Sequence, residues 1–132
     1  MTVSFPYGKS ILKGEFPDER VQAVLRSHLE DYIPEGSEDE LVQKALENPI
    51  QSSGLCELVR GKRNIVIIAS DHPRPVPSKI IMPKMLREIR QGNPDAQITI
   101  LIATGCHRST TGTELVAKFG EEIVINERIV IH

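Results

Sequence analysis

Residues 64–77 read NIVIIASDHPRPVP, and residues 97–108 read QITILIATGCHR. Each stretch opens with a short apolar, largely β-branched run, at residues 65–69 and 98–103. Each run gives way at once to polar groups: Asp71, His72 and Arg74 after the first, Thr104, Gly105, His107 and Arg108 after the second. Runs of this kind suit strands buried on both faces. The residues between them carry a helical pattern, so the three pieces read as a right-handed βαβ unit. Parallel, adjacent strands would carry both polar clusters to one carboxyl edge, where open α/β sheets bind ligands. One aspartate, two histidines and two arginines are therefore expected to converge there.

Working outward, Ile81, Met82, Met85, Leu86 and Ile89 form a stripe on one helical face, the pattern of a core helix. Ser78 is its expected cap. Pro83 lies too deep for the first turn, so the helix is expected to kink there or to start later. Gln91-Gly92-Asn93-Pro94 is a stop signal. Upstream, Ser37 and Glu40 make a capping box for a helix over 38–47, ended by Asn48-Pro49, and a short helix is expected near 55–59. The basic turn at residues 60–63 reads as a solvated loop. Downstream, Thr111 and Glu114 make a second capping box, Gly120 ends that helix, and residues 123–125 and 129–131 read as strand.

The first residues suggest a hairpin, with strands at 3–5 and 10–16 around Tyr7-Gly8-Lys9. Gly14 weakens the second strand or marks a bulge. Residues 21–25 suit either a third short strand or a helical turn, and residues 29–36 read as a connector. The expected class is α/β, three-layer with a mostly parallel sheet, preceded by an N-terminal β-hairpin. Residues 1–132 are read as a single domain, a fragment of a longer protein, because the sequence stops at His132 inside an apolar strand-like run.

Composition narrows the function. Aromatic residues make up 4% of the chain and Trp is absent, so Ile, Leu and Val must do the packing. A formal charge of -2 without a basic tract argues against nucleic acid. No apolar run is long enough to span a membrane. Cys56 and Cys106 are isolated, which suits reduced thiols in a cytoplasmic protein. The four histidines show no metal-binding spacing, and His28 reads as a surface residue.

In the Asp71–Pro77 loop, three prolines in seven residues fix the backbone before any ligand arrives. Arg74 offers a planar fork for a carboxylate or phosphate. Asp71 could orient His72, bind a hydroxyl, or pair with Arg74. In the second loop, Gly105 lets backbone approach a ligand, and His107 has the chemistry for proton transfer near neutrality. Cys106 reads as a small buried residue.

At these residues the sequence resembles the nickel-pincer lactate racemase family. The similar features are P-Y-G-K at 6–9, D-H-x-R-P-V-P at 71–77, K-x-x-x-P-x-x-L at 79–86, A-T-G-x-H-R at 103–108, K-F-G-E-E-I at 118–123, and the final apolar run into His132. The resemblance implies interconversion of the D and L forms of a 2-hydroxy acid. Hydride passes to and from a nickel-pincer nucleotide, a Ni(II) pyridinium-3,5-bisthiocarboxylic acid mononucleotide, while histidines move the hydroxyl proton. It implies that His107 is one catalytic histidine, that Asp71, His72, Pro73 and Arg74 contact the cofactor, and that Arg74 also holds the substrate carboxylate. The cofactor lysine, the second catalytic histidine and the nickel-binding histidine lie further along the family's chain, so no metal ligand is expected among residues 1–132. The cofactor is expected only in the full-length protein, and the 132 residues alone are expected to be inactive. Ser109 departs from the proline common after H-R in the family. The expected partner is a small 2-hydroxy acid, with no nucleic acid or membrane, and the fragment is expected to self-associate through uncovered sheet. The alternative is a non-catalytic nucleotide- or carboxylate-binding module.

Overall fold

The structure, a computed structural model, describes residues 1–132 apart from the side chain at position 30. The chain forms two compact units, Met1–Pro34 and Glu35–His132.

The first unit is built on a hairpin of β1 (Thr2–Tyr7) and β2 (Ser10–Glu15), paired antiparallel. Its turn is Gly8-Lys9, and Gly8 takes φ 59°, the left-handed conformation that a tight hairpin turn needs. The ladder runs unbroken past Val3↔Gly14, so Gly14 marks no bulge. A Cβ there would stand 3.1 Å from the Phe16 ring and 3.2 Å from the Phe5 ring. Those rings meet edge to face at 6.4 Å, so the glycine makes room for the aromatic pair. Single 3-10 turns follow at Asp18–Arg20 and His28–Asp31. Residues 21–27 between them form neither the strand nor the helical turn expected over 21–25. Val24 and Leu25 are exposed, and an extended segment gains little without a strand beside it.

The second unit begins with α1 (Glu38–Glu47), whose capping box is complete: Ser37 Oγ accepts from the Glu40 amide and Glu40 Oε2 accepts from the Ser37 amide at 2.8 Å. α2 (Leu55–Leu58) leads into β3 (Asn64–Ser70), α3 (Ser78–Gly92) and β4 (Gln97–Ala103). α4 (Gly112–Phe119), α5 (Glu121–Asn126) and β5 (Arg128–Ile131) complete it. The sheet order is β3-β4-β5, all parallel, in register from Asn64↔Gln97 to Ser70↔Ala103. The βαβ reading and the α/β class therefore hold.

Strand alternation decides what is buried. Ile67, Ala69, Ile98, Ile100 and Ile102 turn toward Met82, Leu86, Ile89, Leu115, Phe119 and Ile123, which the helices supply. Ile100 and Ile102 are fully shielded. On the opposite face Val66 and Ile68 are 58% and 72% exposed. Both βα connections step the same way across the sheet, and right-handed crossovers then place α3, α4 and α5 on one side. Residues 35–132 thus supply two of the three expected layers. Among the described residues no helix is long and apolar enough to cross a membrane.

Two local expectations are corrected. Ser78 is the first residue of α3, not its cap, so the helix does not start later than Ser78, and Pro83 lies within it. Burial of Met82, Lys84 and Leu86 on both sides of the proline outweighs the one backbone hydrogen bond that it removes. Residues 123–125 belong to helix α5, not to a strand. Gly120 at φ 90° redirects the chain, and Glu121 and Glu122 place two carboxylates at the positive end of the new helix.

Gly92 has a role that a stop signal does not describe. It is the last residue of α3, and a Cβ there would overlap the Cys56 carbonyl oxygen and approach Val59 Cγ2 to 2.7 Å. The next residue, Asn93, donates from its side-chain Nδ2 to the carbonyls of Val59 and Lys62 at 2.9 and 2.7 Å. The end of α3 is therefore docked on the α2 segment through the Gly92 backbone and the Asn93 side chain. Helix propensity alone would make Gly92→Ala stabilising by about 1 kcal/mol. Overpacking against a backbone carbonyl costs about 1–3 kcal/mol or more. The variant is expected to be less stable than wild type, as read from the urea midpoint.

Candidate functional site

The register Ser70↔Ala103 sets the two strand exits side by side. After β3 the chain turns at once, with the Arg74 amide donating to the Asp71 carbonyl at 3.4 Å and the Val76 amide to the Arg74 carbonyl at 2.8 Å. After β4 the His107 amide donates to the Thr104 carbonyl at 3.0 Å across Gly105, whose φ is 58°.

The two turns are joined by one bond: His107 Nδ1 donates to Asp71 Oδ2 at 2.5 Å. Asp71 is 1% exposed, whereas the His107 side chain is 36% exposed. Burial pushes the Asp71 carboxyl up, but the hydrogen bond and charge of His107, helped by His72, outweigh it and hold the carboxyl below its ordinary value. With Nδ1 committed, His107 Nε2 has no partner among the described residues.

Two of the pairings foreseen for Asp71 are not made. It does not pair with Arg74, and His72 is held elsewhere. The His72 ring lies with Nδ1 3.3 Å from the Thr110 hydroxyl and Nε2 3.8 Å from Glu114. Arg108 grips Glu114 with two bonds of 2.6 and 2.9 Å. That hydrogen bond, with the Thr111 cap, holds the Glu114 carboxyl far below the usual carboxylate range. Arg108 and His72 thus brace the start of α4. Asp71, Arg74 and His107 remain to line one cleft of about 340 Å³, together with Ser70, Thr104 and Gly105.

Arg74 is exposed, and among the described residues its guanidinium makes no ion pair or hydrogen bond. Its backbone carbonyl is tied down by Lys118 Nζ at 3.0 Å. Cys106 lies exposed on the cleft wall instead of buried, because left-handed Gly105 turns the chain outward just before it. Thr104 is 5% exposed and donates to the His132 carbonyl at 2.6 Å, which ties the β4 exit to the end of β5. Ser70 Oγ is shielded from solvent and has no hydrogen-bond partner, the one such side-chain atom among the described residues. Among the described residues no group of three His, Cys, Asp or Glu is placed to hold a metal ion.

The lactate racemase N-terminal domain model matches residues 7–132. The chain belongs to that family. It is 54% identical over 130 residues to a lactate racemase of Thermoanaerobacterium thermosaccharolyticum, covering 98% of this chain and 30% of that protein. It is 52% identical over 132 residues to a lactate racemase of Lactiplantibacillus plantarum, covering all of this chain and 31% of that one. The lactate racemase apoprotein of T. thermosaccharolyticum superimposes with a TM-score of 0.86 at 52% identity, over 100% of this chain and 30% of that one. The chain thus spans under a third of the length of these relatives.

Within this lactate racemase N-terminal domain fold, the Asp71–His107 bond escapes a reading of motifs taken singly. Strand parity is the signal that could have revealed it. Positions 67 and 69 lie on the buried side of β3, and Asp71, one residue past its end, continues that buried row. The depressed Asp71 carboxyl also gives a testable pH dependence. Its ionised form is favoured by folding, so its contribution is complete above its ordinary value of 3.8 and is lost as the pH falls through the lower folded value. Asp71→Asn should leave a flatter acid limb than wild type when the thermal midpoint is followed below about pH 4.

Proposed function

We propose that residues 1–132 are the amino-terminal part of a 2-hydroxy-acid racemase of the lactate type, an isomerase active as the full-length protein. The observation that carries this reading is the pairing of buried Asp71 with His107, beside an unpartnered Arg74, at the strand exits of a lactate racemase N-terminal domain.

In this reading Arg74 takes the substrate carboxylate through its planar fork. Asp71 fixes the His107 ring in one tautomer and orientation, so Nε2 faces the substrate hydroxyl and takes its proton. The carboxylate is buried and engaged, which keeps it from competing for the substrate. When the opposite face of the carbon is re-formed, the oxygen takes its proton from a second acid–base group elsewhere in the full-length protein, and His107 is the donor when the reaction runs the other way, so each cycle uses both groups.

The chain's residues suit one side of a nickel-pincer nucleotide. Arg74 is an open cation for an anionic group, and a Cβ on Gly105 would meet nothing within 4 Å, so the loop leaves free space there. Asp71, His72, Pro73 and Arg74 would line the group, and no metal ligand is assigned within residues 1–132. When bound, the nucleotide supplies the acceptor and donor of hydride. The partner is a small 2-hydroxy acid, without nucleic acid or membrane, in a cytoplasmic enzyme. The exposed Val66 and Ile68 support self-association of the 132-residue chain on its own.

The test uses a pair of variants in the full-length enzyme, with cofactor quantified on the same samples. His107→Ala should lower turnover in both directions by about two to four powers of ten with cofactor content retained. Arg74→Ala should mainly weaken substrate binding, by about 1.5–3 kcal/mol. Wild-type rates in His107→Ala would remove the imidazole from the chemistry and favour a carboxylate-binding module.

A further inference from the structure

We infer that Ser70 is a third ligand-binding group of the Asp71–His107 cleft, its hydroxyl donating to an oxygen of a small hydroxy acid held by Arg74. The inference rests on the functional reading above and extends it to a residue that neither the loop motifs nor the family resemblance singled out.

Ser70 is the last residue of β3, in register with Ala103 and directly before Asp71. It lines the same cleft as Arg74, Gly105 and His107. Its oxygen is buried yet bonds to nothing, while Asp71, Thr104 and Thr110 nearby are each buried and each bonded. Leaving a buried hydroxyl unsatisfied destabilises a fold, and native proteins keep few such groups. Alanine would fill the same space without that cost. A serine is useful here if a ligand completes its bonding. One rotatable bond is enough to turn the hydroxyl along the wall it already forms. The chemistry also suits the ligand class, because a carboxylate or hydroxyl oxygen accepts from an O–H donor while the Arg74 fork takes the charge.

The experiment compares wild type and Ser70→Ala in the full-length protein. It measures the thermal midpoint with and without sodium lactate, and KM and kcat for racemisation. Without lactate, Ser70→Ala should melt at or above the wild-type temperature, since an orphaned hydroxyl has been removed. The lactate-induced rise should shrink, and KM should increase about 5- to 10-fold with little change in kcat, the size of one lost hydrogen bond. An unchanged lactate response and KM, or a wild type that lactate does not stabilise, would overturn the inference. The two readings fail separately. A wild type that racemises while Ser70→Ala behaves identically removes Ser70 and leaves the racemase. A wild type without racemase activity, whose lactate stabilisation is nonetheless lost in Ser70→Ala, removes the racemase and leaves Ser70.

Discussion

The parallel pairing of β3 with β4 is the constraint on which the site depends. Seven residue pairs, from Asn64↔Gln97 to Ser70↔Ala103, end both strands at one level. A slip of one residue would turn the Ile67 and Ile100 rows away from the helices, so the core penalises any other register. The same register brings the first turn after β3 against the first turn after β4, and the Asp71–His107 bond closes between them. Site geometry is thus set by core packing, and the prolines of the first loop only stiffen what the register has placed.

The sheet is covered on one side. Its helices converge on a single core, while Val66 and Ile68 stand exposed on the other face beside Leu101 and Val130. Parallel sheets ordinarily carry helices on both faces. The candidate cleft is partly walled by Ile68 and Ala103, so it opens where this bare face meets the strand exits. Whatever covers that face in a longer protein would also enclose the cleft. This matches a chain that spans under a third of its relatives.

Much of the fold was legible in the sequence, since β-branched runs, capping boxes and glycine stops each act locally. Both capping boxes formed as their spacing required. The failures came where tertiary packing overrode local signals. Residues 123–125 form a helix that an apolar run did not announce, and Ser78 is the first residue of α3 instead of its cap. For the site, the convergence of the two loops could be read, but the partners of each group could not. His72 and Arg108 are drawn to Glu114, a residue first noticed as a helix cap, and the Asp71–His107 bond is a contact between turns 36 positions apart. Such choices among charged neighbours depend on ångström-scale placement that motif spacing does not encode.

The proposed chemistry depends on Asp71 holding His107 by Nδ1 and leaving Nε2 to the cleft. Histidine side-chain NMR on selectively 15N-labelled protein tests it most directly. His107 is expected to carry its proton on Nδ1, with a downfield hydrogen-bonded N–H signal that is lost in Asp71→Asn. A His107 ring protonated on Nε2 alone, or a signal unchanged by Asp71→Asn, would contradict it.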